Sequence, residues 1–127
     1  MMLVKTKLGP SSIHGIGLFA DQFIAAGTAT WRFIPGFDIQ KNATEIEVLS
    51  LPAREWFKQY AYLDFHVNVF VLCADDARFM NHSNNPNVRP DYEQDPFGLD
   101  IAACDIQIGE ELTTNYTLFE KEDVSFK

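Results

Sequence analysis

The sequence predicts a mainly β domain carrying one or two short helices. Three observations support this: short runs of alternating apolar and polar residues, glycine and proline breaks at close intervals, and a single stretch with helical periodicity. The chain has 127 residues, 46% of them hydrophobic, which is enough to bury one core. No internal repeat and no Gly/Ser-rich or charge-run linker divides it, so one domain is expected over residues 1–127, with a polar tail from about residue 120.

In chain order, Leu3 to Lys7 alternates as a strand does, and Gly9 and Pro10 are expected to break it. Gly15 and Gly17 punctuate the next segment, and Thr28 to Ile34 places Trp31, Phe33 and Ile34 on a strand-like run. Thr44 with Glu47 forms a candidate capping box. After Pro52, a good first-turn residue, Trp56, Phe57, Tyr60 and Ala61 recur at helical spacing, which predicts a helix over about residues 52–62. Phe65 to Leu72 alternates and is rich in Val and Phe, so it reads as a strand. Ala77 to Pro90 is too rich in Asn and Pro to form one regular element and reads as a structured loop. Leu99 to Ile106 is extended, Gly109 supplies a turn, and Leu112 to Tyr116 is a last short strand.

Composition narrows the function. The net charge of -8 disfavours a phosphate-rich partner, because nucleic-acid binding depends on Lys and Arg, and it suits a basic protein or peptide. No apolar run of about 18 residues is present, and the N-terminal residues lack the apolar core of a secretory signal, so a soluble, intracellular protein is expected, cytoplasmic or, in a eukaryote, nuclear. Cys73 and Cys104 lie in apolar stretches and are expected to be buried free thiols. The glycosylation patterns at Asn42, Asn81 and Asn115 carry no weight without a secretory route.

Two motifs could carry chemistry. Gly15-Ile16-Gly17-Leu18-Phe19-Ala20 fits the dinucleotide pattern GxGxxA, but no strand-turn-helix context surrounds it, since Gly27 follows too soon for a useful helix. Glycines on either side of Ile16 would still let a small polar molecule approach the backbone closely. Arg78-Phe79-Met80-Asn81-His82-Ser83, followed by Asn85-Pro86-Asn87, concentrates amide and imidazole groups that suit an amino acid's charged ends or an adenine edge; such clusters also make ordinary turns. Ser83 beside His82 is no serine-hydrolase arrangement, since sequence neighbours in an extended loop point apart and no nucleophile elbow exists. His14, His66, His82 and the two cysteines have no metal-ligand spacing, so no metal is expected.

Together these segments resemble the SET-domain protein-lysine methyltransferases, from about Leu3 to Phe119. His14-Gly15-Ile16-Gly17-Leu18-Phe19-Ala20 is similar to the family's first motif and the Arg78 to Asn87 segment to its second. Asp105-Ile106 through Gly109-Glu110-Glu111-Leu112-Thr113 to Tyr116 is similar to the third. The resemblance implies several small sheets and a C-terminal segment threaded beside the Asn81 loop as a pseudoknot. It implies S-adenosylmethionine as cofactor, lying against His14, Gly15, Ile16 and Gly17, with Asn81 holding its methionine portion, the His82 backbone at its adenine and Phe119 covering that ring. It also implies a catalytic Tyr116 and a lysine channel walled by Tyr62, Thr114 and Tyr116, with carboxylates outside the channel guiding a basic protein substrate.

Two departures stand out. Thr114 occupies a position where many members carry Tyr or Phe, and Asn115 replaces a frequent Asp. The flanking cysteine clusters of many chromatin enzymes are absent, and 11 residues follow Tyr116, so the channel is expected to be closed by the chain's own tail, by a second copy in a homodimer, or incompletely. These departures leave room for a non-catalytic module that binds cofactor or a lysine peptide without methylating it.

Overall fold

The computed structural model describes residues 1–118; Phe119 and the polar tail lie outside the described residues. The chain forms β1 (Thr6–Pro10), β2 (Ile16–Ala20), β3 (Ala29–Trp31), β4 (Ile39–Lys41), α1 (Ala43–Glu47) and α2 (Leu51–Tyr60). It continues through β5 (Tyr62–Asp64), β6 (Val69–Leu72), a 3-10 turn at Asp76–Phe79, β7 (Asn81–His82), β8 (Val88–Asp91), β9 (Leu99–Ala102), β10 (Thr113–Thr114) and a 3-10 turn at Tyr116–Leu118. The strands make four small sheets: β1-β2, β3-β9-β8, β4-β6-β5, and the β7-β10 pair, which alone is parallel. The expected architecture, small sheets with two helices, is the one observed.

Several boundaries differ from the sequence reading, each for a local reason. The first strand runs through Gly9 and Pro10 instead of stopping there, because it belongs to a two-stranded sheet whose open edge tolerates a proline. The capping box is Asn42 with Glu45, not Thr44 with Glu47: the Asn42 side chain accepts from Glu45 N and the Glu45 carboxylate accepts from Asn42 N. The second helix starts at Leu51, with Ser50 accepting from Ala53 N and Pro52 in the first turn. Phe65 to Leu72 is a hairpin half and not one strand. Asp64 Oδ1 accepts from His66 N at 2.8 Å and Val67 N at 3.2 Å, and Asn68 adopts a φ of 54° to close the turn. Leu99 to Ile106 is a strand only to Ala102, although Ile106 pairs again across an isolated bridge to Ile24.

Three apolar clusters hold these pieces together. Leu18, Ile24, Ile106 and Leu112, none more than 1% exposed, centre the first; burying each contributes on the order of 1.5–3 kcal/mol. Trp31, Phe33, Val71 and Cys73 form the second, and Ile46, Phe57, Phe70 and Leu72 join the helices to the β4-β6-β5 sheet. Cys73 is buried as expected, whereas Cys104 is exposed, because it lies in the loop after β9 and outside the strand's alternation.

The C-terminal segment is held from both sides. Thr113 and Thr114 pair with Asn81 and His82, and Ser83 N donates to Thr114 O. On the other side Asn87 Nδ2 donates to Glu111 O at 2.9 Å, and Asn87 Oδ1 accepts from Thr113 N at 2.9 Å. The segment therefore runs between the two arms of the 81–87 loop, the arrangement implied by a pseudoknot. Asn87→Ala is expected to destabilise the protein by about 2 kcal/mol, since two part-buried backbone groups lose their partner; urea denaturation should show a lowered midpoint, and an unchanged midpoint would rule out the clamp.

Candidate active site

The parallel pair of β7 and β10 separates two features that bear on chemistry. On one side lies an acceptor-rich cluster around Asn81. Its Nδ2 is 3.1 Å from His14 O, 3.4 Å from Ile16 O and 2.9 Å from Glu111 Oε2. An amide NH2 group carries two protons, so three acceptors converge on two donors, and the surplus suits an added cationic donor. Glu111 is fixed in turn by Ser11, whose hydroxyl lies 2.8 Å from Oε1 and also supports the Gly15 turn by accepting from Ile13 N.

The two glycines serve this cluster differently. Gly15 has φ 48°, a left-handed turn conformation that glycine adopts without strain, and open space lies where its side chain would be. Gly17 sits inside β2, where an added Cβ would fall 2.4 Å from Glu111 Oε2. Gly17 is thus required for packing against the carboxylate, whereas the sequence reading gave it only a part in letting a ligand approach the backbone. His14, Gly15 and Ile16 are exposed, so their backbone is open to a ligand from solvent.

His82 links the two sides. Its Nδ1 accepts from Tyr116 N at 3.1 Å and its Nε2 lies 3.1 Å from Asn84 Oδ1, a pair of contacts that assigns the ring proton to Nε2. The imidazole leans on the Tyr116 ring, with centroids 5.3 Å apart.

On the other side is a cavity of about 140 Å³ that brings together Tyr62, Thr114 and Tyr116, the three residues expected to wall a channel. Trp31, Tyr92 and Asp100 also line it, and none of these was singled out from sequence. The Tyr116 hydroxyl donates to the carbonyl of Met80, another lining residue. Arg78 lies over the Tyr60 and Phe79 rings, 5.5 and 5.2 Å from their centroids, so its charge is spread against aromatic faces.

Burial shapes the ionisation of these groups. It pushes the Tyr62 and Tyr92 hydroxyls and the Cys73 thiol well up, so all three are neutral at ordinary pH. It also pushes the Asp100 carboxyl up to about 7. A carboxylate, that of Asp100, is among the groups lining this cavity. Strand β9 places that side chain between Trp31 and Pro90 in register, and both of those residues line the cavity. The one signal in the sequence was a charged residue inside the apolar run Leu99-Asp100-Ile101-Ala102.

Asn81 thus gathers with the backbone of His14 and Ile16, Tyr62, Thr114 and Tyr116 line one cavity, and His82, in register with Thr114, is joined to Tyr116; Phe119 lies outside the described residues. Glu111 escaped the sequence reading as a site residue because its role depends on Ser11, 100 positions away. Among the described residues no helix is long and apolar enough to cross a membrane.

No curated protein matches the chain. Among solved structures, a Plasmodium falciparum protein assigned as a histone methyltransferase is similar at 20% identity with a TM-score of 0.60, over 91% of this chain and 95% of that one. The Chaetomium thermophilum Polycomb Repressive Complex 2 is similar in an inhibitor-bound humanised mutant, at 24% identity and a TM-score of 0.66 over 93% of this chain. It is also similar in an autoinhibited form bound to S-adenosylmethionine, at 23% identity and a TM-score of 0.65 over 93% of this chain. This chain spans only 16% of those Chaetomium chains, and at such identities the likeness is one of fold. The family model for the SET domain matches residues 15–117, and by that match, which takes in Asn81, Glu111 and Tyr116, the chain belongs to the SET-domain family.

Proposed function

We propose that this protein transfers a methyl group from S-adenosylmethionine to the side-chain amine of lysine in a basic protein or peptide. The observation that carries this reading is the two-sided site. An acceptor-rich cluster and an aromatic cavity meet across a two-residue parallel pair, so a cofactor on one side and an amine on the other would approach each other there.

The residues present fit the cofactor. Its ammonium would take the acceptors that Asn81 leaves in surplus at His14, Ile16 and Glu111, while the open backbone at Gly15 and the His82 region would receive the rest. When bound, S-adenosylmethionine supplies a methyl group on a positively charged sulfur. The similarity to a structure bound to that molecule points the same way.

The chain's own residues then orient the acceptor. The Tyr116 hydroxyl donates a hydrogen bond to the Met80 carbonyl, and a hydroxyl oxygen also has acceptor capacity, which would receive an amine N–H and aim the nitrogen lone pair. Free lysine has a pKa of about 10.4 and reacts only when neutral. The walls supplied by Tyr62, Tyr92 and Trp31 disfavour its charged form, exclude water and offer aromatic faces to a methylated product. The small Thr114 leaves room beside Tyr116, and the net charge of -8 attracts a basic substrate from a distance.

Calorimetry with S-adenosylmethionine should show one binding site on the parent protein, and failure to bind would refute the reading. Asn81→Ala is expected to weaken that binding by tenfold or more, and Gly17→Ala to do the same by displacing the Glu111 carboxylate. Tyr116→Phe should bind the cofactor normally while methyl transfer to lysine peptides falls by about 100-fold. Cofactor binding with no methylation across a broad lysine-peptide array would instead identify a non-catalytic module.

A further inference from the structure

The cavity beside Tyr116 contains more polar chemistry than an aromatic channel needs. Trp31 is 3% exposed and Thr114 is 4% exposed, and both line it. Trp31 Nε1 and Thr114 Oγ1 are buried without any hydrogen-bond partner. Asp100 lines the same space, and no side-chain hydrogen bond or ion pair of its carboxylate is found among the described residues. Native interiors rarely leave such groups unmatched; the Thr114 hydroxyl and the Asp100 carboxylate can both accept from a ligand that brings N–H donors and positive charge, whereas the Trp31 N–H can only donate and is not satisfied by such a ligand.

A carboxylate in an apolar, aromatic enclosure is costly unless a cation joins it or a proton neutralises it. Burial accordingly pushes the Asp100 carboxyl up to about 7. The groups facing it are the neutral Tyr62 and Tyr92 hydroxyls and the neutral Cys73 thiol, with Arg78 also on the cavity wall. Asp64 is engaged by the Tyr92 hydroxyl, and the Met1 amino group, which opposes the rise, is bonded to Asp38. The Arg78 guanidinium lies over Tyr60 and Phe79, and no ion pair between it and Asp100 is found among the described residues. A cavity of about 140 Å³ with these groups on its wall matches one small cationic head in size and charge.

We propose that Asp100 receives an alkylammonium side chain in this cavity, first as its counter-ion and then as the acceptor of its proton. The inference rests on the reading of the cavity as the amine side of a methyl-transfer site. In the proton step one N–H bond of the ammonium breaks and one O–H bond forms on the Asp100 carboxylate, leaving a neutral amine and a neutral acid. The lone pair freed on nitrogen is the one the transfer requires, and the acid returns its proton to solvent when the product leaves. A carboxylate that pairs with an ammonium ordinarily opposes its deprotonation; here the aromatic walls lower the pKa of the ammonium while burial raises that of Asp100, and the proton passes to the carboxylate as the two values draw together.

The test uses n-butylamine as probe and Asp100→Asn as the near-isosteric variant. That the variant folds is checked by thermal melting against pH. The raised carboxyl contributes full stability to the parent below about pH 4 and loses it as pH rises through about 7, so the variant should lack that decline. At pH 8.5, calorimetry in buffers of different ionisation enthalpy should show the parent binding butylammonium with no proton released. The variant should bind it at least tenfold more weakly and release about one proton per amine bound. Parent and variant binding alike, or proton release by the parent, would overturn the proposal.

A second readout is transfer to a lysine peptide. The parent rate should be level between about pH 8 and 9.5, whereas the Asp100→Asn rate should be lower and rise about tenfold per pH unit toward the amine's own pKa of about 10.4. Equal profiles would overturn the proton-acceptor role, because a merely structural residue would not change their shape. If the parent methylates no peptide, the methyl-transfer reading fails; the butylamine experiment still decides whether Asp100 holds a cation.

Discussion

The placement of the segment from Glu111 to Thr114 between the arms of the 81–87 loop is the constraint on which the site depends. Backbone pairing holds one edge of it, and the Asn87 amide holds the other. The ladder is two residues long and places Thr113 opposite Asn81 and Thr114 opposite His82. A shift by one position would exchange the faces and carry Glu111 away from Asn81, and the fully buried Leu112 from its cluster. Packing of Leu112 against Leu18 and Ile106 and the hydrogen bonds of Asn87 thus enforce the same alignment.

From this alignment the chemistry divides into two environments only a strand apart. On the cofactor-like side, polar acceptors are matched to backbone turns, and the side is open to solvent at Gly15 and Ile16. On the cavity side, burial raises the Tyr62 and Tyr92 hydroxyls, the Cys73 thiol and the Asp100 carboxyl. His82, next to Asn81 in β7, accepts from Tyr116 N, and Tyr116 bonds through its hydroxyl to Met80 on the cavity wall, so the two rings connect the strand that carries Asn81 to the cavity. A change in either environment is therefore expected to be felt in the other through this pair of rings.

The polar groups without partners deserve the same reading as the paired ones. A domain with three compact apolar clusters could have filled the space around Thr114 with another aromatic ring, as many members of the family do at that position. A small hydroxyl-bearing residue stands there instead, beside an indole N–H and a carboxylate. The stability lost by leaving these atoms unmatched is sensible only if something with complementary charge and donors enters the cavity.

Much of the protein was legible in one dimension. Alternation, glycine and proline breaks and one helical run specified a mainly β domain with small helices, since those signals reflect local backbone preferences. The ordered motifs around Gly15, Asn81 and Tyr116 specified the family. Local signals also misplaced some elements: the strand through Pro10 depends on there being no neighbour on its open edge, and the hairpin at Asn68 on an Asp64 side chain that caps the turn. What only the tertiary structure decided is which distant residues meet. Glu111 with Ser11 and Asn81, Asn87 with Thr113, and Asp100 with Trp31 and Thr114 are joined by packing across sheets, and no periodicity or spacing along the chain encodes such contacts.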